Sequence, residues 1–183
     1  MGSRYEEEWQ SSYKMYIAAF QELQLETLCF TENVKCFLMR KPGTRINSVQ
    51  ITFTPEGIAI QGDHCPGDNG VCSAFGYGME WFTRRLDRSY ICEKFLRQRT
   101  ITEKVQDDLD DMIRECDDGH VHGTHHVLSD LISRVSDDGL TSENMAAIED
   151  SCLFSDGIGM AYPIYDSAKL VAIQERFREL RHS

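Results

Sequence analysis

Apolar residues recur at two different spacings along this chain, and the spacings predict where its helices and strands lie. Between Tyr5 and Leu28, apolar and aromatic residues fall mostly three or four positions apart, which predicts an amphipathic helix. Runs rich in β-branched and aromatic residues, typical of strands, follow at 27–31, 34–40, 46–54 and 57–62. The turns between these runs are too short for crossover helices, so neighbouring strands should be antiparallel.

Alternation within the predicted strands leaves one apolar face that another element has to cover. Val49, Ile51 and Phe53 alternate with polar residues, and the N-terminal helix is the natural cover for the face they form. The expected fold class is α+β: an N-terminal helix packed on an antiparallel sheet of about four strands, followed by a helical C-terminal half. Residues 1–100 would hold the helix, the sheet, a glycine-rich loop and a basic helix. Residues 101–183 would form an acidic helical region of the same domain.

The segment after the fourth predicted strand changes character twice. Residues 63–78 contain four glycines and a proline, which predicts an irregular loop with Val71–Phe75 as a short strand that closes a hairpin. Residues 79–99 have the pattern of a basic helix. The further predicted helices are one capped at Thr100 and ending at 117–119, one capped at Thr124 and ending at 137–139, one at 142–150, and a last one at 166–180. Thr100 and Glu103 have the spacing of a capping box. The first two of these helices each carry an apolar stripe, formed by Val105, Leu109, Met112, Ile113 and Cys116 and by Leu128, Leu131, Ile132 and Val135.

Charge adds a feature that the apolar pattern does not show. Residues 101–150 hold 14 acidic and 3 basic residues, whereas the rest of the chain holds 16 of each. One interpretation is a solvated helix surface that the basic helix at 84–99 balances within the chain. The other is that the carboxylates imitate the phosphates of nucleic acid and occupy a basic groove on another protein. The candidate partner-binding residues are Asp107, Asp108, Asp110, Asp111, Glu115, Asp117, Asp118, Asp137 and Asp138. Direct binding of nucleic acid is disfavoured because the acidic segment would repel its backbone.

Composition limits the class of protein. The chain has 183 residues, of which 41% are hydrophobic, and is long enough to bury one substantial core. No apolar run approaches the roughly 20 residues of a membrane span, and no signal-peptide pattern is present, so we expect a cytoplasmic protein that does not bind membranes. Its seven cysteines are odd in number and scattered, which indicates reduced and mostly buried thiols. A homodimer is compatible with the sequence.

Three histidines form the most visible candidate metal site. His120, His122 and His125, joined by Cys116 or a neighbouring aspartate, would offer ligands that zinc accepts in tetrahedral geometry. The alternative is a turn and helix start whose histidines are solvated or bond to the backbone. No cofactor is expected unless these histidines bind zinc.

The glycine-rich loop offers a second candidate chemistry. His64, Cys65 and Cys72 supply the residue types of an activated thiolate, although they also fit a structural loop. The loop lacks the Gly-Lys-Ser or Gly-Lys-Thr ending of a phosphate-binding loop. Three hypotheses follow: a binding protein that uses the acidic helices, a small zinc- or thiol-dependent enzyme, and a protein that sequesters a small ligand in this loop.

A resemblance to known proteins supplies a setting for these hypotheses. The sequence resembles a group of small proteins encoded by bacteriophages and prophages, over the stretches 47–57, 62–70, 76–82 and 90–96 and more weakly at 172–178. The resemblance covers about half of the chain and implies a host-takeover or anti-defence protein, such as an anti-CRISPR. It implies no site. The leading hypothesis is therefore a non-enzymatic, phage-encoded protein that inhibits a host defence or nucleic-acid-handling complex by binding it.

Overall fold

The computed structural model of the protein describes residues 3–44, 47–66, 70–117, 125–150 and 159–182. It confirms the α+β class, with an N-terminal helix, an antiparallel sheet and a helical C-terminal half. None of the helices in these ranges is long and apolar enough to cross a membrane. In chain order the elements are α1 (Arg4–Phe20), β1 (Gln24–Phe30), β2 (Lys35–Arg40), β3 (Ser48–Thr54), β4 (Gly57–Gln61), β5 (Val71–Phe75), α2 (Met79–Phe82), α3 (Arg88–Phe95), β6 (Arg99–Thr100), α4 (Thr102–Asp117), α5 (His125–Asp138), α6 (Ser142–Asp150), β7 (Met160–Ala161) and α7 (Ile164–His182).

The chain folds into two compact units, which we name after their main features. The sheet unit comprises Trp9–Arg97 and Ile164–Ser183, and the acidic unit comprises Met1–Glu8 and Gln98–Pro163. The last helix, α7, therefore belongs with the sheet, whereas the sequence pattern grouped residues 101–183 as one acidic helical region.

The sheet is an antiparallel meander of five strands in the order β1 to β5. Short turns join β1 to β2 and β3 to β4, as the sequence predicted, and Val71–Phe75 pairs with β4 as the fifth strand. In β3, Val49, Ile51 and Phe53 are buried while the residues between them are partly exposed. Alternation at a period of two thus gives the sheet one covered face, as expected for an antiparallel sheet.

Two glycines allow β4 to lie close to its neighbours. Gly57 begins the strand with φ at +157°, and a Cβ atom there would lie 2.3 Å from the carbonyl oxygen of Ala74. Gly62 follows the strand with φ at +119°, and a Cβ atom there would lie 2.5 Å from the carbonyl oxygen of Ser48. These separations are too short for any side chain, so only glycine fits at either position.

The core of the sheet unit is built around the ring of Phe177 on α7. Its centroid lies 5.3 Å from that of Phe37, 5.7 Å from that of Phe53 and 5.8 Å from that of Phe82. Aromatic rings at these separations bury large apolar areas and interact favourably edge to face. The last helix therefore covers the sheet, and α1 is joined to it by a hydrogen bond of 3.0 Å that Trp9 Nε1 donates to Ser167 Oγ.

The helix predicted from Tyr5 to Leu28 ends earlier, at Phe20. The chain turns there and continues as β1, so Leu23 and Leu25 are not helical residues. Arg176 on α7 stabilises this exit, because its Nη2 donates hydrogen bonds of 2.8 Å to the carbonyl oxygens of both Gln21 and Leu23. The apolar spacing after Phe20 fits either a helix or a strand, so it did not show where the helix ends. The contact with Arg176 could not be predicted from it, because Arg176 is far away in the chain.

The predicted basic helix at 79–99 is also shorter than expected, because it is interrupted between α2 and α3. Gln174 satisfies backbone groups at the break, since its Nε2 donates hydrogen bonds of 2.7 Å to the carbonyl oxygens of Phe82 and Arg84. Asp87 then caps α3 by accepting hydrogen bonds from the amides of Ser89 and Tyr90.

The acidic unit has an apolar core of its own. Helices α4 and α5 bury part of the apolar stripes that the sequence predicted, and α6 adds Ile148. The buried residues are Val105, Leu109, Leu128, Leu131, Val135 and Ile148. The capping box predicted at Thr100 and Glu103 is not formed, because Thr100 lies in β6 and α4 begins at Thr102. β6 pairs with β7, a short antiparallel pairing that the sequence pattern did not predict. Thr124 lies outside the described residues.

Replacing Phe177 with alanine should destabilise the sheet unit strongly. We expect Phe177→Ala to lower the free energy of unfolding by about 3–5 kcal/mol, because it removes the ring shared by three other aromatic residues and leaves a cavity. Both tryptophans of the chain, Trp9 and Trp81, lie in the sheet unit, so urea denaturation followed by tryptophan fluorescence reports on it.

Phe75→Ala is the matched control, because this ring lies on the edge strand β5 and is 78% exposed. It should change the free energy of unfolding by no more than about 0.5 kcal/mol. Equal losses in the two variants would show that the cluster around Phe177 is not the core of the unit.

Candidate functional site

The surplus of negative charge coincides with one of the two units. The acidic unit contains 18 acidic and 5 basic residues, a formal net charge of −13, whereas the sheet unit contains 12 acidic and 14 basic residues, a net charge of +2. The described carboxylates of this unit lie on helices α1, α4, α5 and α6, and the last three helices pack around an apolar core of their own. A charged surface of this kind attracts basic partners over distances of about 10 Å at ordinary ionic strength.

Asp107, the first of the predicted partner-binding residues, serves the fold. Its side chain is 9% exposed, and its carboxylate accepts hydrogen bonds from the amides of Arg4 and Tyr5, at 2.9 and 3.0 Å, and from Ser3 Oγ. The carboxylate therefore satisfies the free amides at the start of α1, where negative charge is also favoured by the helix dipole. Burial alone would raise the pKa of Asp107, but these hydrogen bonds lower it below its usual value.

Asp108 also has partners within the acidic unit. Its carboxylate accepts hydrogen bonds from Lys104 Nζ and, at 2.8 Å, from the amide of Gly159. Gly159 has φ at +69°, and a Cβ atom there would lie 2.2 Å from Cγ2 of Val105, so this close approach requires glycine. The contact holds the chain before β7 against α4.

Asp110 and Asp111 lie further out on α4 and form ion pairs at the surface. Asp110 lies 3.1 Å from Arg4 Nη2, and Asp111 lies 2.5 Å from Arg114 Nη1. Together with Ser3, Glu7 and Asp107 these four residues line a surface groove of about 530 Å³. Exposed ion pairs contribute little to stability, so a partner could compete for either carboxylate.

The remaining described candidates, Glu115, Asp137 and Asp138, are exposed, and among the described residues none of their side chains has a hydrogen bond or ion pair. Asp137 and Asp138 occupy the last turn of α5, which contains no basic residue. Carboxylates at the carboxyl end of a helix are unfavourable by about 0.3–1 kcal/mol each, because they meet the negative end of the helix dipole. Among the described residues, neither charge has a cationic partner that would offset this cost.

Asn144 keeps the end of α5 in place without using the exposed carboxylates. Its Nδ2 donates hydrogen bonds to the carbonyl oxygens of Gly139, at 2.8 Å, and Arg134, at 3.3 Å. The helix end is thus closed by an amide from α6, while Asp137 and Asp138 point to solvent.

Most of the candidate metal ligands fall outside the part of the chain that the structure describes. His120, His122, Asp118 and the side chains of Asp117 and His125 lie outside the described residues. Within the ranges that the structure describes, no group of three or more metal-binding side chains comes together. Zinc binding by the histidines stays a prediction.

The structure does bring two residues of the glycine-rich loop together. The sulfur atoms of Cys65 and Cys72 are both buried and lie 3.7 Å apart, and Cys65 Sγ lies 3.0 Å from the carbonyl oxygen of Ile60. The hydrogen bond between the two thiols lowers the pKa of Cys65, although burial opposes this, and it raises the pKa of Cys72 together with burial. Cys65 is therefore the thiol that loses its proton more readily.

His64, the third member of that candidate, packs against an aromatic ring. The centroid of its imidazole lies 5.1 Å from the ring centroid of Phe20, in an edge-on arrangement. Burial, and then the nearby ammonium group of Lys169, lower the pKa of His64. A neutral imidazole in this contact fits a structural role.

Sequence reasoning missed the contacts that give the acidic residues different roles. One local signal was available for Ser3, since Ser3 and Glu6 have the spacing of a capping box and Ser3 Oγ does accept a hydrogen bond from the amide of Glu6. No local signal links Asp107 to residues about a hundred positions away, or Asp108 to Gly159.

Comparisons with protein-family models, with curated proteins and with solved structures find no match to this chain.

Replacing Asp107 should destabilise the protein, unlike replacing an exposed aspartate. We expect Asp107→Asn to lower the free energy of unfolding by about 2 kcal/mol, because it removes a buried charge that accepts three hydrogen bonds and leaves an amide donor facing backbone donors. Asp137→Asn, the matched control, should leave stability within about 0.5 kcal/mol or raise it slightly. Urea denaturation at pH 7, followed by far-ultraviolet circular dichroism, measures both.

The stability lost in Asp107→Asn should depend on pH. Since the pKa of Asp107 is lowered in the folded protein, the unfolded state takes up protons first as the pH falls. The stability that Asp107 contributes is fully present above its unfolded pKa of about 4 and is lost as the pH falls through the lower folded value. The difference in free energy of unfolding between wild type and Asp107→Asn should therefore shrink below pH 4. A difference that stays constant with pH would contradict this role of Asp107.

Proposed function

We propose that this protein is a non-enzymatic binding protein whose acidic unit occupies a basic groove on a nucleic-acid-handling complex. The observation that carries the proposal is the partition of charge: the acidic unit has a net charge of −13, whereas the rest of the chain has +2. A groove that binds nucleic acid is lined with Lys and Arg, and it would accept a dense array of carboxylates in place of phosphates. Binding there would exclude the nucleic acid and inhibit the complex.

The packing of the acidic unit supports this role. Six fully or nearly fully buried apolar side chains hold α4, α5 and α6 together, so the carboxylates on their outer faces keep a fixed spacing. A flexible acidic tail would lose conformational entropy on binding, whereas packed helices have already lost it during folding. Fixed spacing also allows discrimination among basic surfaces.

The best candidates for the binding surface are the exposed carboxylates that the fold does not use. Glu115 on α4 and Asp137 and Asp138 on α5 make no ion pair among the described residues, and the last two oppose the dipole of their own helix. A cationic partner would remove this electrostatic penalty. Asp110 and Asp111 can contribute as well, because their arginine partners are exposed and weakly held.

Asp107 and Asp108 do not belong to the proposed surface. Their carboxylates are occupied by Ser3, Arg4 and Tyr5 in one case and by Lys104 and Gly159 in the other. Substitutions there would reduce binding only by disturbing the fold.

The resemblance to phage-encoded proteins directs the proposal towards a bacterial host. The target would be a defence or other nucleic-acid-handling complex of the host cytoplasm, and the protein would contact that complex rather than nucleic acid or membrane. Competition with nucleic acid for one groove makes binding sensitive to salt, since both ligands act through charge.

Reversing the three unused charges should weaken partner capture. We expect the variant carrying Glu115→Lys, Asp137→Lys and Asp138→Lys to capture its partner from bacterial lysate at least about tenfold less than wild type, since a charged interface loses attraction and gains repulsion at each site. Raising the salt concentration from 50 to 300 mM should weaken the capture by wild type more than that by the variant. Duplex DNA added to the captured complex should displace the wild-type protein.

A matched control keeps the total change of charge the same. Glu32, Glu56 and Glu80 are exposed acidic residues of the sheet unit, and replacing all three with lysine also raises the net charge by six. This control should capture the partner nearly as well as wild type. Equal losses of partner capture in the two triple variants would mean that binding depends on net charge and not on the acidic unit. Undiminished capture by the variant carrying Glu115→Lys, Asp137→Lys and Asp138→Lys would contradict the proposal.

A further inference from the structure

The turn after β4 places a cysteine of the loop directly against a cysteine of β5. The amide of Gly62 donates a hydrogen bond of 3.2 Å to the carbonyl oxygen of Gly70. The amide of Cys65 donates a hydrogen bond of 3.0 Å to the carbonyl oxygen of Gly62, so the chain folds back over β4. Cys72 lies opposite Ile60 in the pairing of β4 with β5. Since Cys65 Sγ also contacts the carbonyl oxygen of Ile60, both sulfur atoms are held at the same strand position.

We propose that Cys65 and Cys72 form a redox-responsive dithiol, which peroxide converts into a disulfide that fastens the turn after β4 to β5. Their sulfur atoms are already 3.7 Å apart, and a disulfide requires about 2.05 Å. Rotation of the side chains can supply most of this approach, because Cys65 lies in a turn and is not fixed within the sheet. This inference is independent of the proposed binding role of the acidic unit.

The chemistry balances with peroxide as the named oxidant. The Cys65 thiolate attacks one oxygen of hydrogen peroxide, the O–O bond breaks, and Cys65 becomes a sulfenic acid with release of hydroxide. The Cys72 sulfur then attacks the Cys65 sulfur, the S–O bond breaks, and the thiol proton of Cys72 leaves with the oxygen as water. Two thiols are oxidised by two electrons and one peroxide is reduced to two waters.

The roles of the two cysteines follow from their surroundings. Cys65 lies in the turn outside the sheet and the thiol of Cys72 lowers its pKa, which favours Cys65 as the attacking thiolate. Cys72 is held within β5 opposite Ile60 and serves as the resolving thiol. Because both sulfur atoms are buried, small peroxides should react faster than bulky disulfides such as oxidised glutathione.

The other described cysteines lack this arrangement. Cys29 and Cys36 lie opposite each other on β1 and β2, but Cys36 Sγ contacts Thr52 Oγ1 at 3.3 Å and Cys29 Sγ lies 3.8 Å from the carbonyl oxygen of Val34. Burial raises the pKa of the Cys92 thiol to about 12, so this cysteine should resist oxidation. Among the described residues, the Cys65 and Cys72 pair is thus the best placed to form a disulfide.

Peptide mapping of the wild-type protein tests the inference without relying on any variant. After treatment with hydrogen peroxide and alkylation of the remaining thiols, mass spectrometry should find a Cys65–Cys72 linked peptide that has lost two hydrogen atoms. Cys92 should stay reduced at the same exposure, and dithiothreitol should restore both thiols. The closed ring spans eight residues, so the oxidised protein should melt about 5 °C higher than the reduced protein.

Cys72→Ser adds a test of the mechanism, with Cys92→Ser as its control. Peroxide should leave a sulfenic acid on Cys65 of Cys72→Ser, which dimedone traps, whereas Cys92→Ser should form the disulfide like wild type. Failure to detect the Cys65–Cys72 link in folded wild-type protein would overturn the inference, as would preferential linkage of Cys29 to Cys36. Partner capture by the acidic unit would not be affected by either result.

Discussion

Repulsion among its own carboxylates is the constraint that the acidic unit has to satisfy in order to fold. A formal net charge of −13 on so small a unit favours expansion, and a compact state requires apolar burial and favourable uses of charge to offset it. The buried stripes of α4, α5 and α6 supply the first. Asp107 and Asp108 supply the second, because each turns a carboxylate into an acceptor for backbone amides. Some carboxylates of the acidic unit thus stabilise its fold, and only the others are available for a partner.

Local periodicity predicted those features of the fold that depend on neighbouring residues. The strands β2 to β5, the helix at Ser142–Asp150 and the buried stripes of α4 and α5 all follow from spacings of two, three or four. The features that could not be predicted depend on residues far away in the chain. Arg176 meets the end of α1 and Gln174 meets the end of α2, and no local pattern reveals that either helix stops there.

The candidate site shows the same division between local and distant information. From the sequence, nine acidic residues looked alike, because composition reports charge and not surroundings. Helix periodicity could have separated Asp108, which lies three residues after the buried Val105 and next to the buried Leu109, at the border of the buried face. The same periodicity places Asp107 on the opposite face of α4, so it gives no hint that this residue is buried. The start of α1 as the partner of Asp107 could not be foreseen, nor could the contact between Cys65 and Cys72, which depends on the turn that follows Gly62.

Asp137 and Asp138 at the end of α5 place stability and function in opposition. Selection for more stable variants of this protein would favour replacement of Asp137 and Asp138, since neutral residues there would remove the unfavourable interaction with the helix dipole. If a basic partner uses these carboxylates, the more stable variants would bind less well. At these two positions, selection for stability would therefore favour neutral residues, whereas selection for binding would favour aspartate.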